Sequence, residues 1–351
     1  MRIEELDYDL PEELIAQEPA PERDAARLLV LRRGTGAVEH GTVRDLPGLL
    51  RTGDLLVVND AAVFPARLDL RRASGGKFDA LLLEPDGADP LRWEALVNAR
   101  NKLRVGERLA VERAAGVVLV LEGRKAGTWT VRFEGTADVR ATAAAAGRVP
   151  LPPYIQREEG SDPRDAADRG RYQTVYAREP VAAAAPTAGL HFTPALLEAC
   201  AAAGIGRAAV TLAVGPGTFR PVKSALLEDH PMHPERWSVP AATAAAVRAA
   251  RGAGGRVVAV GTTAVRTLEA SSADSADGLP REGAGSTSLF ILPGYAFRCV
   301  DVLLTNFHLP RSTLLALVMA FGGKGPVLAA YREAVRERYR FFSYGDAMLV
   351  V

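Results

Sequence analysis

The stretch TGDLLVVNDA, residues 52–61, decides how the chain is divided. It reads as a buried strand ending at Asn59-Asp60, because a short continuous apolar run bounded by turn residues suits a strand covered on both faces. The texture changes after it. KFDALLLE (77–84), RWEALVNA (92–99) and GTWTVRFEG (127–135) alternate apolar and polar residues at period two, so that Trp129, Val131 and Phe133 face one way and Thr130 and Arg132 the other. The turns ASGGK, RVGER and EGRKAG separate these runs. Residues 63–148 are therefore expected to form a small antiparallel β-barrel. RVPLPPYIQRE (148–158) is a Pro-rich joint leading out.

From Tyr172 onward strands and helices alternate. YQTVYA (172–177), RAAVTLAVG (207–215), VDVLLTNFH (300–308) and DAMLVV (346–351) read as strands. Residues 194–203 and 241–251 read as helices, and RVVAVGTTAVRTLEAS (256–271) as strand, turn and helix. STLLALVMAF (312–321) is a helix capped by Ser312 or Thr313, and PVLAAYREAVRERY (326–339) a helix opened by Pro326. The pattern predicts an α/β/α fold with a mostly parallel sheet. The strand at 52–58 joins that sheet. The α/β domain is then discontinuous, residues 1–62 and 149–351, with 63–148 inserted as the barrel domain. The strands at 54–58 and 172–177 should share one sheet.

Hydrophobic residues make up 48% of the 351 and charged residues 24%, the balance of an ordinary globular protein. Cys200 and Cys299 both lie in apolar runs, which suits buried thiols and not a disulfide framework. No apolar stretch reaches transmembrane length, and the acidic start MRIEELDYDL is not a signal peptide, so the cytoplasm is the default. With a net charge of +1, any contact with nucleic acid must rest on local patches.

In open α/β sheets ligands bind beyond the carboxyl ends of the strands. The loops expected there are Asn59-Asp60, GPGTFRP (215–221), GTT (261–263), TNFHLP (305–310) and PTAGLHF (186–192). In the last, Thr193 is a good N-cap and Pro194 suits the first helical position. His191 and Phe192 therefore enter a helix start, where a partial positive charge keeps an imidazole neutral. Gly189 lets the backbone turn or lets a ligand come close. The alternative is a turn whose histidine only caps or packs. VGTTAVR has no Walker lysine and no G-x-G-x-x-G, which removes triphosphate and dinucleotide readings. Arg266 in it reaches a carboxylate or an adenine edge, or is solvated. GPGTFRP suits a base or nucleoside, or is a turn with a packed Phe219. EDHPMHPERW (228–237) gathers Asp229, His230, His233 and Glu235, but Pro231 and Pro234 disfavour helical metal ligation. That leaves acid/base roles, substrate contact or a solvated loop. His308 lies just past a buried strand, where a lone histidine also serves as a cap. There is no G-x-S-x-G elbow and no H-E-x-x-H.

Seven blocks now point one way: YDLPEELIAQEPAPERDAARLLVL, GDLLVVNDAAVFPARL, APTAGLHFTPALL, VTLAVGPGTFRPV, VVAVGTTAVRTLE, LLTNFHLPRSTLLALVMAF and YRFFSYGDAMLVV. Together they closely resemble the S-adenosylmethionine:tRNA ribosyltransferase-isomerases of queuosine synthesis, over essentially the whole chain and in the family's order. The resemblance implies an α/β domain with an inserted β-barrel. It implies transfer of the ribosyl part of S-adenosylmethionine to 7-aminomethyl-7-deazaguanine at the tRNA wobble position. The ribose is isomerised to an epoxycyclopentane-diol, and adenine and methionine leave. S-adenosylmethionine is then a substrate, and no true cofactor and no metal is expected. The chain departs from the family at Ala213, where His is usual, at Ala61-Ala62, where Thr-Arg is usual, and at Val302, where Gly is usual. In the barrel, NARNKLRVGE replaces the family's basic run.

This chemistry needs a base for an acidified C5′ proton, a donor for departing adenine, and exclusion of water. The acid/base groups on offer are His191, His308, His233 and Asp229, with Asp60 to hold a hydroxyl or the amine. Substrate contacts are expected from Thr187, Gly189, Phe192, Gly215, Gly217, Thr218, Phe219, Arg220, Thr262, Thr263, Arg266, Asn306 and Tyr344. Phe192 or Phe219 would stack on adenine, and Tyr344 on a flipped-out base. Patches including Arg100, Lys102, Arg104 and Arg171 would meet tRNA phosphates. Two competing readings are an ordinary methyltransferase, which would yield S-adenosylhomocysteine, and a catalytically silent tRNA-binding homologue.

Overall fold

The computed structural model describes residues 1–98, 103–125, 127–158, 162–215 and 224–351. Among these, the first strands are β1 (Arg27–Leu31), β2 (Val38–Thr42), β3 (Leu55–Asn59) and the short β4 (Ala61–Val63). Six follow in the middle of the chain: β5 (Arg67–Arg72), β6 (Lys77–Pro85), β7 (Arg92–Asn98), β8 (Arg108–Val111), β9 (Val118–Lys125) and β10 (Thr128–Glu134). Then come β11 (Glu179–Ala182), β12 (Gly206–Leu212), β13 (Glu235–Val239), β14 (Val257–Val260), β15 (Gly283–Thr287), β16 (Val302–Asn306) and β17 (Ala347–Val350). The helices are α1 (Leu46–Leu49), α2 (Val139–Ala146), α3 (Asp165–Arg171), α4 (Pro194–Ala202), α5 (Ala241–Gly252), α6 (Thr262–Ser272), α7 (Thr313–Gly322) and α8 (Lys324–Arg336).

Nine strands form one sheet in the order β15-β13-β12-β3-β14-β16-β17-β1-β2. Its centre, β12, β3, β14 and β16, is parallel throughout. The sheet is mixed toward its edges: β13 and β15 on one side and β2 on the other run antiparallel to their neighbours, and β17 lies antiparallel to β16 but parallel to β1. Every residue of β3 is buried, because helices cover both faces. Leu55 and Val57 face a core shared with α5, α6, α7 and α8, while Leu56 and Val58 face a second core under α1 and α4. The period-two side-chain alternation of one strand thus serves two layers. Cys200 and Cys299 are buried, unpaired thiols.

The alternating runs between β4 and α2 close into a six-stranded barrel, β10-β7-β6-β5-β8-β9, with antiparallel pairing throughout. Trp129, Val131 and Phe133 point into its core. Val139, Ala143 and Ala146 of α2 join that core, and the Asp138 side chain caps α2 by accepting from the Arg140 and Ala141 amides. The barrel strands fall between β3 and β12, neighbours in the large sheet, so the fold is an α/β sheet interrupted by a barrel.

One expectation fails. Residues 172–177 form no strand and do not join the large sheet. Tyr172 and Thr174 are buried and Val175 is exposed, so the alternation is real. The chain turns here, with the Ala177 amide donating to Thr174 O at 3.3 Å, and Gln173 ties it to β4: it accepts from the Val63 amide at 3.2 Å and donates to the Val63 carbonyl at 3.1 Å. Pairing begins later, where β11 meets β4 in a separate two-stranded sheet. Among the described residues no single helix is long and apolar enough to cross a membrane.

Candidate functional site

A cavity of about 470 Å³ opens where β12 runs out against the barrel. The barrel side supplies Glu84 from β6 and Glu94 from β7, and the sheet side supplies Ala213, Val214 and Gly215. The sheet side is shaped by main-chain bonds: the Ala213 amide donates to Arg236 O at 2.9 Å, and the Ala183 amide to Val214 O at 3.0 Å. Glu235 braces it. One of its oxygens accepts from the Gly215 amide at 3.2 Å and the other from Arg266 Nη1. Arg266 stands one turn into α6, is 6% exposed, and donates Nε to Leu289 O at 3.1 Å. Two charges out of water are tolerated here because they pair and hydrogen-bond.

His230 and His233 also line this cavity. His230 is half-buried, with its ring edge-on to Phe290 at 6.1 Å. Burial, then the neighbouring His233, hold its pKa below the usual 6.5. His233 is exposed at the rim. Asp229 is exposed on the turn Leu227–Asp229 and does not line the cavity. The acid/base pair that EDHPMHPERW presents to the cavity is His230 and His233, because the lining of the cavity begins at His230, one residue past the turn that holds Asp229.

A second group of polar residues lies deeper, beyond β3, β14 and β16. Asn306 Nδ2 donates to Phe342 O at 3.0 Å and lies 3.2 Å from His191 Nε2. The carbonyl fixes which way the amide faces, so His191 accepts through Nε2 and is the neutral tautomer protonated at Nδ1. Its pKa falls to about 4, through burial first and then the Arg340 charge, against an opposing hydrogen bond with the Arg23 backbone. His308 is held on every side: its ring meets Thr305 Oγ1 at 2.9 Å, its amide donates to Tyr331 Oη at 3.1 Å, and its carbonyl accepts from Tyr8 Oη at 2.5 Å. Burial takes it down to about 3. Asp60, 8% exposed, accepts from Thr211 Oγ1 at 2.7 Å.

The turn Thr187–His191 sits among these groups. A Cβ on Gly189 would fall 2.1 Å from Tyr176 Oη and 2.8 Å from Thr174 Cγ2. Gly189 is thus required by the segment packed over it. Phe192, fully buried beside Val58 and Val260, is core and has no free face for adenine. Gly261 begins α6 with φ +89°, which only glycine adopts freely, and no side chain caps the helix. The oxygens Thr174 Oγ1, Tyr176 Oη, Thr263 Oγ1 and Asn306 Oδ1 are buried with no hydrogen-bond partner among the described residues. Thr262 is buried and Thr187 half-buried in the same region.

A second, far smaller cavity of about 20 Å³ touches His191, Arg171 and Tyr344 and has room for about one water. Tyr344 is no stacking platform: it is 3% exposed, packed edge-on to Tyr172, and donates to Asp168 at 2.8 Å. Arg171 is no phosphate arm either, because its guanidinium donates to the Ala20 and Pro21 carbonyls. Arg104 is exposed at the barrel, next to Val105. Arg100, Lys102, Gly217, Thr218, Phe219 and Arg220 lie outside the described residues. Among the described residues no group of three or more His, Cys, Asp or Glu could hold a metal.

The family described as "Queuosine biosynthesis protein" matches residues 3–350. The chain belongs to that family. A relative in Anaeromyxobacter sp. (strain Fw109-5), named S-adenosylmethionine:tRNA ribosyltransferase-isomerase, is 56% identical, covering 100% of this chain and 99% of its own. A relative of the same name in Pelobacter propionicus is 48% identical and covered in full on both sides. The crystal structure of an S-adenosylmethionine tRNA ribosyltransferase from Thermotoga maritima is 39% identical, with a TM-score of 0.56 over 99% of this chain and 100% of that one. Relative to what the family resemblance implied, Ala213 stands on the wall of the large cavity, so the histidine usual there would enter it. EDHPMHPERW already gathers His230 and Glu235, although the acid/base roles expected from it fall to Asp229 and His233. Glu94 carries no local signal, since only folding brings it to the cavity.

Proposed function

We propose that this chain transfers the ribosyl part of S-adenosylmethionine to 7-aminomethyl-7-deazaguanine in the anticodon stem-loop of tRNA and isomerises it, releasing adenine and methionine. Membership of the family supports this reading, and the large cavity carries it at the level of residues: it is in the size range that encloses a small-molecule ligand and has titratable groups on its walls. The sulfonium makes a C5′ proton acidic. His230, neutral near pH 7 because burial and His233 lower its pKa, is the group to take it. The same ring, charged once it has taken that proton, gives it up as adenine departs, with His233 beside it at the cavity rim. Asp60, anchored by Thr211, stands in the second, buried polar group and does not line the large cavity. His191, His308 and Asn306 form the buried support behind them. On this reading residues 1–62 and 149–351 are the catalytic domain, 63–148 is an inserted domain supplying the outer wall, and the reaction takes place in the cytoplasm.

The test is chromatography of S-adenosylmethionine incubated with the chain, with and without a stem-loop carrying the modified base. Adenine and methionine appearing only with the stem-loop are expected. S-adenosylhomocysteine as the product would make the chain a methyltransferase, and stem-loop binding with no adenine would make it a silent homologue.

A further inference from the structure

The large cavity carries an uneven charge, and its unevenness matches one end of the substrate. Arg266 is 6% exposed, and two of its three nitrogens are spent on Glu235 and Leu289 O. The third, Nη2, is buried with no hydrogen-bond partner among the described residues. An unpaired guanidinium N–H away from water is costly, and an anionic oxygen is the acceptor that best relieves it. On the barrel side, Glu84 pairs with Arg236 at 3.3 Å, whereas Glu94 has no ion-pair partner among the described residues. Among the described residues, Arg266 pairs with Glu235 and Glu84 with Arg236, while the Glu94 carboxylate has no ion pair.

S-adenosylmethionine carries a carboxylate, an ammonium and a sulfonium, a net charge of about +1 near neutral pH. We propose that Arg266 binds the substrate carboxylate and that Glu94, across the cavity on the barrel, faces its cationic end. Arg266 also carries Glu235, which holds the Gly215 amide, so carboxylate binding is coupled to the backbone at Gly215. The barrel is thereby a specificity wall for the sulfonium donor. This inference rests on the ribosyl-transfer reading above.

The experiment compares S-adenosylmethionine with its decarboxylated analogue, which keeps the adenosine, the sulfonium and the amine. Adenine release is measured for wild type, Arg266→Gln and Glu94→Gln, with the modified stem-loop at saturation. In the wild type, losing the carboxylate should raise KM roughly 10- to 100-fold, the worth of a hydrogen bond to a charged group. Arg266→Gln should raise KM for S-adenosylmethionine by a similar factor and leave KM for the analogue nearly unchanged. Glu94→Gln should raise KM for both substrates by roughly the same factor, about 10-fold, with kcat little altered.

A wild type that accepts both substrates within twofold in KM overturns the carboxylate contact. An Arg266→Gln that weakens both substrates equally does the same. A Glu94→Gln with unchanged KM overturns the role of the barrel wall. If thermal melting shows that Arg266→Gln does not fold, the wild-type substrate comparison and Glu94→Gln still decide. No adenine from the wild type with any substrate would instead sink the ribosyl-transfer reading.

Discussion

The two polar regions at the sheet edge are built on opposite terms. Around the large cavity, His230 and His233 are half-buried or exposed and Arg266 keeps a free N–H. Around the turn Thr187–His191, the histidines are buried, with only a cavity of about one water's size beside His191, and their rings already hold partners. Both regions contain histidines kept neutral, but only the first leaves them access to a substrate. A buried histidine whose ring already holds a partner is less free to meet a substrate than one at a cavity wall.

The sharpest way to break this contrast is to delete one histidine from each region. His230→Ala should lose roughly 10²- to 10⁴-fold in adenine release with little change in melting temperature. His191→Ala should instead lower the melting temperature, because it leaves Asn306 without its partner in a closed space. A His191→Ala variant that melts like the wild type yet is inactive would exchange the roles assigned to the two regions.

Gly189→Ala comes next. Its Cβ would meet Tyr176 Oη at 2.1 Å, so overpacking should cost about 1–3 kcal/mol, read as a fall of several degrees in the melting temperature. Removing the hydroxyl with Tyr176→Phe should restore part of that loss. If the glycine served a ligand, the alanine variant would melt normally and fail in substrate binding, and Tyr176→Phe would rescue nothing.

The pH dependence of stability sharpens the same contrast. His191 and His308 have folded pKa values of about 4 and about 3, below the usual 6.5. The unfolded chain then binds more protons than the folded one between pH 6.5 and those values, so stability rises with pH through that window. Acidifying from pH 6.5 to pH 5 should cost about 1–2 kcal/mol per histidine. Denaturant titrations at the two pH values check this, and a pH-independent midpoint would mean that the rings are not sealed.

The smallest effect concerns RNA. Arg104 is exposed and Arg171 is spent on backbone carbonyls. Arg104→Ala should therefore reduce the log–log salt slope of stem-loop binding by about 0.7–0.9, while Arg171→Ala leaves the slope unchanged and lowers the melting temperature. Equal slope changes for both would place Arg171 on the phosphate-binding surface after all.

The architecture was legible because its signals are periodic and local. LLVVN announces a strand covered on both faces, and Trp129, Val131 and Phe133 announce the barrel interior. YQTVYA misled because alternating burial does not distinguish a strand from a turning segment, here closed by the Ala177 amide on Thr174 O and tied to Val63 through the side chain of Gln173. The site was less legible. Phe192 and Tyr344 have the right chemistry for stacking, but only three-dimensional packing shows that neither has a free face. Arg266 was recognisable as a cation near a sheet edge, yet its pairing with Glu235 across a span of 31 residues leaves no mark in either segment.

The place of β17 in the sheet bears on how the molecule assembles. Residues 28–31 pair with 347–350, and β17 is the strand joining the β1–β2 hairpin to β16. This closes a loop of most of the chain, with the entropic cost that such a loop carries. Until β17 is in position, β1 shows an unpaired edge and β16 lacks its outer neighbour. Long-range pairing of this kind is slow to form, so the seam is expected to be among the last parts of the sheet to gain protection from amide exchange during refolding. The parallel centre, once β12 and β14 have flanked β3, can form ahead of it.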